Sequence, residues 1–130
     1  MLNRDLTARF SWPFLVAMVA SVLAAPSCSL GKPDIATVPA HPTFEIDIKP
    51  LLADHCLLCH SDPATRGAPT SFRLDVYTSP DGKRAAHEEA GRFIRSIDDG
   101  GMPPSALWGD GVGPNGKAML HNWATDNYPD

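Results

Sequence analysis

The pentapeptide Cys56-Leu57-Leu58-Cys59-His60 decides how the rest of the chain is read. Two cysteines two residues apart, with a histidine directly after the second, form the c-type haem attachment pattern, in which both thiols become thioethers to the porphyrin. The spacing serves the histidine. Once two sulfurs fix one edge of the ring, the next imidazole lies under it and can ligate the iron from one face. One haem c held by Cys56 and Cys59, with His60 on the iron, is the expected cofactor arrangement.

Upstream of the motif, Phe44, Ile48, Leu51, Leu52, His55, Cys56 and Cys59 recur at helical intervals, so the first cysteine shares a face with the apolar residues. Pro50 interrupts this stripe. Proline is tolerated at the first helical position but removes a hydrogen bond further in, so the helix either starts near Pro50 or starts near Phe44 and bends. The early start with a bend is the preferred reading, because it leaves the motif at the helix end, where the chain turns.

Downstream, residues 61–80 carry Pro63, Gly67, Pro69 and Pro80 and exclude a long helix. Within them Ser71 to Tyr77 alternates apolar and polar, which suits a short extended or loop segment that lays Phe72, Leu74 and Val76 against the core or the haem edge. Arg73 is a weak candidate partner for a haem propionate. A second helix is expected over Ala85–Asp98, with Ala86, Ala90, Phe93, Ile94 and Ile97 on one face. Glu88, Glu89, Arg92 and Arg95 fall mostly on the other side. Gly100-Gly101 stops this helix, since glycine accepts the left-handed conformation that follows a helix end.

The chain emerges from that stop into Met102-Pro103-Pro104. Methionine most often fills a gap in a core. Here the glycines before it and the prolines after it favour a ligand: a thioether is a soft donor for haem iron, and the prolines keep the backbone extended without amide donors. Met102 lies 42 residues after His60, enough chain to pass the ring edge and return on the far face. After a glycine-rich loop over residues 109–114, too irregular and too poor in lysine for a phosphate loop, a last helix is expected over Lys117–Asn127. Trp123 in that helix is expected to lie on the first helix near Phe44 or Ile48, and Trp108 to line the haem crevice or cap the core.

The 130 residues leave room for one small domain. Residues 1–27 read as an export signal: Arg4 and Arg9 precede an apolar run from Phe10 to Ala25 that is too short and broken for a membrane span. The expected location is periplasmic or on the outward face of the cell envelope. Ala25-Pro26-Ser27-Cys28 resembles a lipoprotein processing site, and two readings stay open, acylation of Cys28 as a membrane tether or ordinary cleavage nearby. Residues 28–42 are proline-rich and read as a flexible tether, with the domain over 43–130. Beyond residue 27 nine Lys or Arg face fourteen Asp or Glu, an acidic balance that argues against nucleic acid and favours a partner with a basic patch.

Taken together, the helix that ends in Cys56-x-x-Cys59-His60, the Gly-Met102-Pro loop and the Leu120-x-x-Trp123 helix resemble class I c-type cytochromes over residues 43–128. Pro50 before two apolar residues, Arg73-Leu74-Asp75 after the motif and Met102-Pro-Pro make the chain most similar to the planctomycete-type cytochrome c domains of exported bacterial proteins. The resemblance implies an all-α, cytochrome c-like fold of three main helices with long loops around one covalently bound haem. It also implies a monohaem electron carrier, His60/Met102 axial ligation and a redox protein as partner rather than a substrate.

Two other functions compete. A haem enzyme or sensor with an open or labile distal position needs a polar distal group, which His87 or His121 could supply if turned inward, although each reads more simply as a surface histidine. A zinc module would need four ligands, drawn irregularly from Cys56, Cys59, His55, His60 and His87, and the direct Cys-His adjacency argues against it.

Overall fold

The computed structural model describes residues 33–105, 109 and 111–130. The expected export signal, Cys28 and Trp108 lie outside the described residues. Within them the architecture is all-α: α1 spans Lys49–His55, α2 Ala86–Asp98 and α3 Pro114–Thr125, with a π-helical turn over Phe44–Ile48 leading into α1. No described helix is long and apolar enough to cross a membrane.

The helical run begins at Phe44, and the disturbance expected from Pro50 takes the form of that widened turn. Ile48 N–H donates to Thr43 O at 3.1 Å, and the Lys49 amide reaches Phe44 O, each one residue further back than in a regular helix. Pro50 offers no N–H and its ring crowds the carbonyl of the preceding turn, so widening that turn relieves the clash. Pro50 then occupies the first turn of α1, where its missing donor costs little.

Helix α2 presents the expected apolar face, with Ala86, Ala90, Phe93, Ile94 and Ile97 buried. Its first amides are met from outside: Ala86 and His87 donate to the carbonyls of Val76 and Tyr77 at 3.1 Å, and the Glu88 carboxylate accepts from Ala85 N–H at 2.9 Å. Its end is closed as the glycines require. Gly100, at φ +73°, donates to Ile97 O at 3.1 Å, while the amides of Gly101 and Met102 both reach Ser96 O, at 2.8 and 3.1 Å. The cap of α2 therefore fixes the backbone entry to Met102.

The last helix starts earlier than expected, at Pro114, and ends at Thr125, with Asn127 already at positive φ. Its N-terminus is held by a residue from the segment expected to be tether. The Asp34 carboxylate accepts from Asn115 N–H at 2.9 Å and Gly116 N–H at 3.0 Å. Pro39 O and Ile35 O accept from the side chains of Asn122 and Asn115, Pro42 is fully buried, and Ile35 and Val38 lie on the core. Residues 34–42 are thus a strap along α3. The correction has a physical reason: the prolines remove amide donors but leave the carbonyls and Asp34 free to serve a helix that lacks a side-chain cap of its own.

Trp123 is the hub of the core. It is fully buried, its ring lies 6.1 Å from Phe44 and 6.3 Å from Phe93, and its Nε1–H donates to Pro129 O at 2.7 Å. The expected contact with Phe44 is present. Fully burying side chains such as Phe44, Ile48, Leu52 and Leu120 stabilises by about 1.5–3 kcal/mol each before entropy is charged. The tail closes over this cluster as Tyr77 Oη–H donates to Tyr128 O at 2.7 Å.

Candidate functional site

Helix α1 delivers the motif at its end. Cys56 N–H still donates to Leu52 O at 2.7 Å, and the chain then curls so that the amides of Cys59 and His60 both donate to Cys56 O at 3.0 Å. This tight curl turns the Cys56 thiol and the His60 ring toward one cavity. The cavity measures about 370 Å³ and is walled mainly by apolar groups, among them Phe72, Leu74, Phe93 and Ile97. A smaller one of about 160 Å³ adjoins the same stretch and is bordered by His55, both cysteines, His60 and the Met102-Pro103-Pro104 segment. Met102 borders both cavities and remains 40% exposed.

Cys56 and Cys59 are free thiols, and burial, reinforced by the neighbouring Cys59, pushes the Cys56 thiol up to about 12. Burial also lowers the His60 pKa, which favours the neutral imidazole that can donate a lone pair. Its Nδ1 is buried and has no hydrogen-bond partner among the described residues. The Phe72 ring stacks on the imidazole at 5.0 Å, and Leu74 N–H donates to His60 O at 2.7 Å. The segment after the motif therefore supports the histidine from ring and backbone together. Its extended character is limited to one bridge pairing, Phe72 with Arg84.

Arg73 is committed elsewhere. Its guanidinium forks onto Asp75 at 2.5 and 2.7 Å and lies 3.6 and 3.5 Å from Asp62 and Asp81. The Asp75 hydrogen bonds raise the Arg73 pKa, and the same contact lowers that of Asp75. The cations that border the larger cavity are instead Arg84 and Arg92, beside Glu89. The helical pattern put Glu89 on the outer side, but it is only 4% exposed. Arg84 Nη1 reaches its Oε1 at 2.7 Å, close but poorly aligned for a hydrogen bond, and Arg92 stands at 3.8 Å.

A search of family models, of curated proteins and of solved structures finds no match to this chain. The site therefore stands on its own geometry. The two histidines considered for a distal role border neither cavity: His87 lies 5.0 Å from the Tyr77 ring and 6.2 Å from that of Tyr128, and His121 Nε2 sits 3.2 Å from Asp98 on the surface. Among the described residues no group of three or more His, Cys, Asp or Glu side chains is disposed to hold a metal ion between them. What the site brings together is two thiols, one imidazole and one thioether around an apolar space. Sequence reasoning placed those four residues in one site and missed the Arg84–Glu89–Arg92 wall, for which the sequence carried no signal beyond the charges themselves.

Proposed function

We propose that the chain is an exported monohaem c-type cytochrome that carries single electrons, with a cytochrome c-like fold around the haem. The observation that carries this reading is that Cys56, His60 and Met102, the last two 42 residues apart in sequence, border one mainly apolar cavity. The residues present fit the group. Free thiols suit thioether formation, a half-buried neutral imidazole suits ligation of iron, and apolar walls suit a flat hydrophobic ring.

In this reading Cys56 and Cys59 would hold the ring covalently, and His60 and Met102 would ligate its iron. The haem, when bound, supplies a one-electron couple between ferrous and ferric iron. The protein contributes orientation and environment: Phe72 stacks on the imidazole, Phe93, Leu74 and Ile97 exclude water, and the cap of α2 positions Met102. A thioether opposite an imidazole raises the potential relative to two imidazoles. The expected partner is another redox protein, met from the periplasmic or outward-facing side of the envelope.

The test is a visible and near-infrared spectrum of protein matured with a haem-attachment system, repeated on Met102→Ala. Haem that survives denaturing electrophoresis and a sulfur-to-iron charge-transfer band lost in the variant are the expected results. Protein without covalent haem refutes the reading, and haem without the band in wild type refutes the six-coordinate carrier.

The exposure of Met102 favours a second reading, in which the distal position is labile and the haem binds a small gaseous ligand as an enzyme or sensor would. Rapid carbon monoxide binding by the reduced wild-type protein supports it. A ferrous spectrum unchanged under carbon monoxide excludes it.

A further inference from the structure

We infer that Arg84 and Arg92 form a carboxylate-binding subsite in the larger cavity and hold the acidic substituents of the haem, with Glu89 as the positioning residue that aims both guanidiniums. The inference rests on the haem reading and deepens it by assigning the charged residues of the cavity lining. A macrocycle tethered at Cys56 and ligated by His60 has one apolar edge and one edge that carries two carboxylates. The lining of the cavity brings together the two kinds of group such a ring needs, Cys56 and His60 of the motif and the charged Arg84, Glu89 and Arg92.

Two features of that wall suit an anion, its excess of cations over Glu89 and the donors those cations keep. Glu89 is 4% exposed on the same helix face as Ala86, Ala90 and Phe93, and a carboxylate is costly to bury without cationic partners. It is retained there between Arg84 at 2.7 Å and Arg92 at 3.8 Å. Two guanidiniums against one carboxylate leave a net positive charge at the cavity border. A guanidinium also offers five donors in a planar fork that matches carboxylates, and Arg84, whose Nη1 faces Glu89 at 2.7 Å while Nη2 makes only a long 3.5 Å contact with Ser71 Oγ, keeps donors for a second carboxylate.

The other nearby arginines are less suited. Arg73 already faces Asp75, Asp62 and Asp81, and Arg66 borders the smaller cavity. Arg73 is thus a brace for the loop after the motif, and the role considered for it passes to Arg84 and Arg92.

The experiment uses the full chain matured with haem and reads the haem propionate bending band by resonance Raman spectroscopy. Variants are Arg84→Gln, Arg92→Gln, Arg84→Lys and Glu89→Gln, with Arg73→Gln and Arg95→Gln, which border neither cavity, as controls. Arg92 is 70% exposed, so its replacement leaves the core intact, and Arg84→Lys keeps the charge that pairs with Glu89. The expected result is a shifted band in Arg84→Gln and Arg92→Gln, a smaller shift in Arg84→Lys, a shift in Glu89→Gln with covalent haem retained, and an unmoved band in both controls. Covalent haem with an unmoved band in both Arg84→Gln and Arg92→Gln, or a shift in the controls alone, overturns the subsite while leaving the haem reading standing. Absence of covalent haem from the wild type overturns the haem reading itself.

Discussion

The ring of Phe72 lies on the imidazole of His60, with centroids 5.0 Å apart and planes 18° from parallel. Stacking of this kind limits rotation of the imidazole, while the Leu74 amide fixes the His60 carbonyl at 2.7 Å. Phe72→Ala is expected to lower stability by about 1–3 kcal/mol, less than a fully buried phenylalanine would cost. It should also broaden the distribution of ligand orientations. Urea unfolding measures the first effect, and the electron paramagnetic resonance line width of the ferric protein the second. Line widths equal to wild type would show that the stack does not orient His60.

Asp34 ties the strap to the start of α3 and gives a pH dependence of definite sign. Burial alone would raise its pKa, but the backbone amides of Asn115, Gly116 and Ile35 outweigh this and hold it below the ordinary value of 3.8. A carboxyl lowered on folding stabilises fully above its unfolded value, and that stabilisation is lost as pH falls through the folded value. Asp34→Asn is therefore expected to reduce the urea midpoint at pH 7 and to flatten the fall in stability below about pH 4. Parallel acid titrations of variant and wild type would argue against the cap.

At Gly116, α3 packs closely on Val112 and Leu51. A Cβ there would stand 2.5 Å from Val112 Cγ1 and 3.3 Å from Leu51 Cδ1. Gly116→Ala should cost about 1–3 kcal/mol through overpacking, although alanine is the better helix former. Thermal unfolding of the variant checks this, and an unchanged or raised midpoint would mean that Val112 and Leu51 give way without penalty.

If Cys28 is the acylated first residue of the mature chain, Cys28→Ser releases the protein from the membrane fraction while covalent haem is kept. Fractionation followed by haem staining measures both at once. Unchanged distribution between membrane and soluble fractions eliminates the lipid tether.

The sequence by itself determined what depends on contacts within a turn or two. The apolar stripe of α2 and the stop at Gly100-Gly101 follow from local periodicity and local φ preference, and each is present as expected. Only the tertiary structure decided what depends on distant partners. Glu89 reads as a solvent-facing charge on its helix and is buried because Arg84 and Arg92 reach it. Asp34 reads as tether and becomes the cap of a helix that starts eighty residues later. Met102 and His60 share a cavity because three helices close around Trp123 and the cap of α2 sets where the methionine leaves the helix. No local pattern encodes these meetings, since they exist only once the intervening loops have closed.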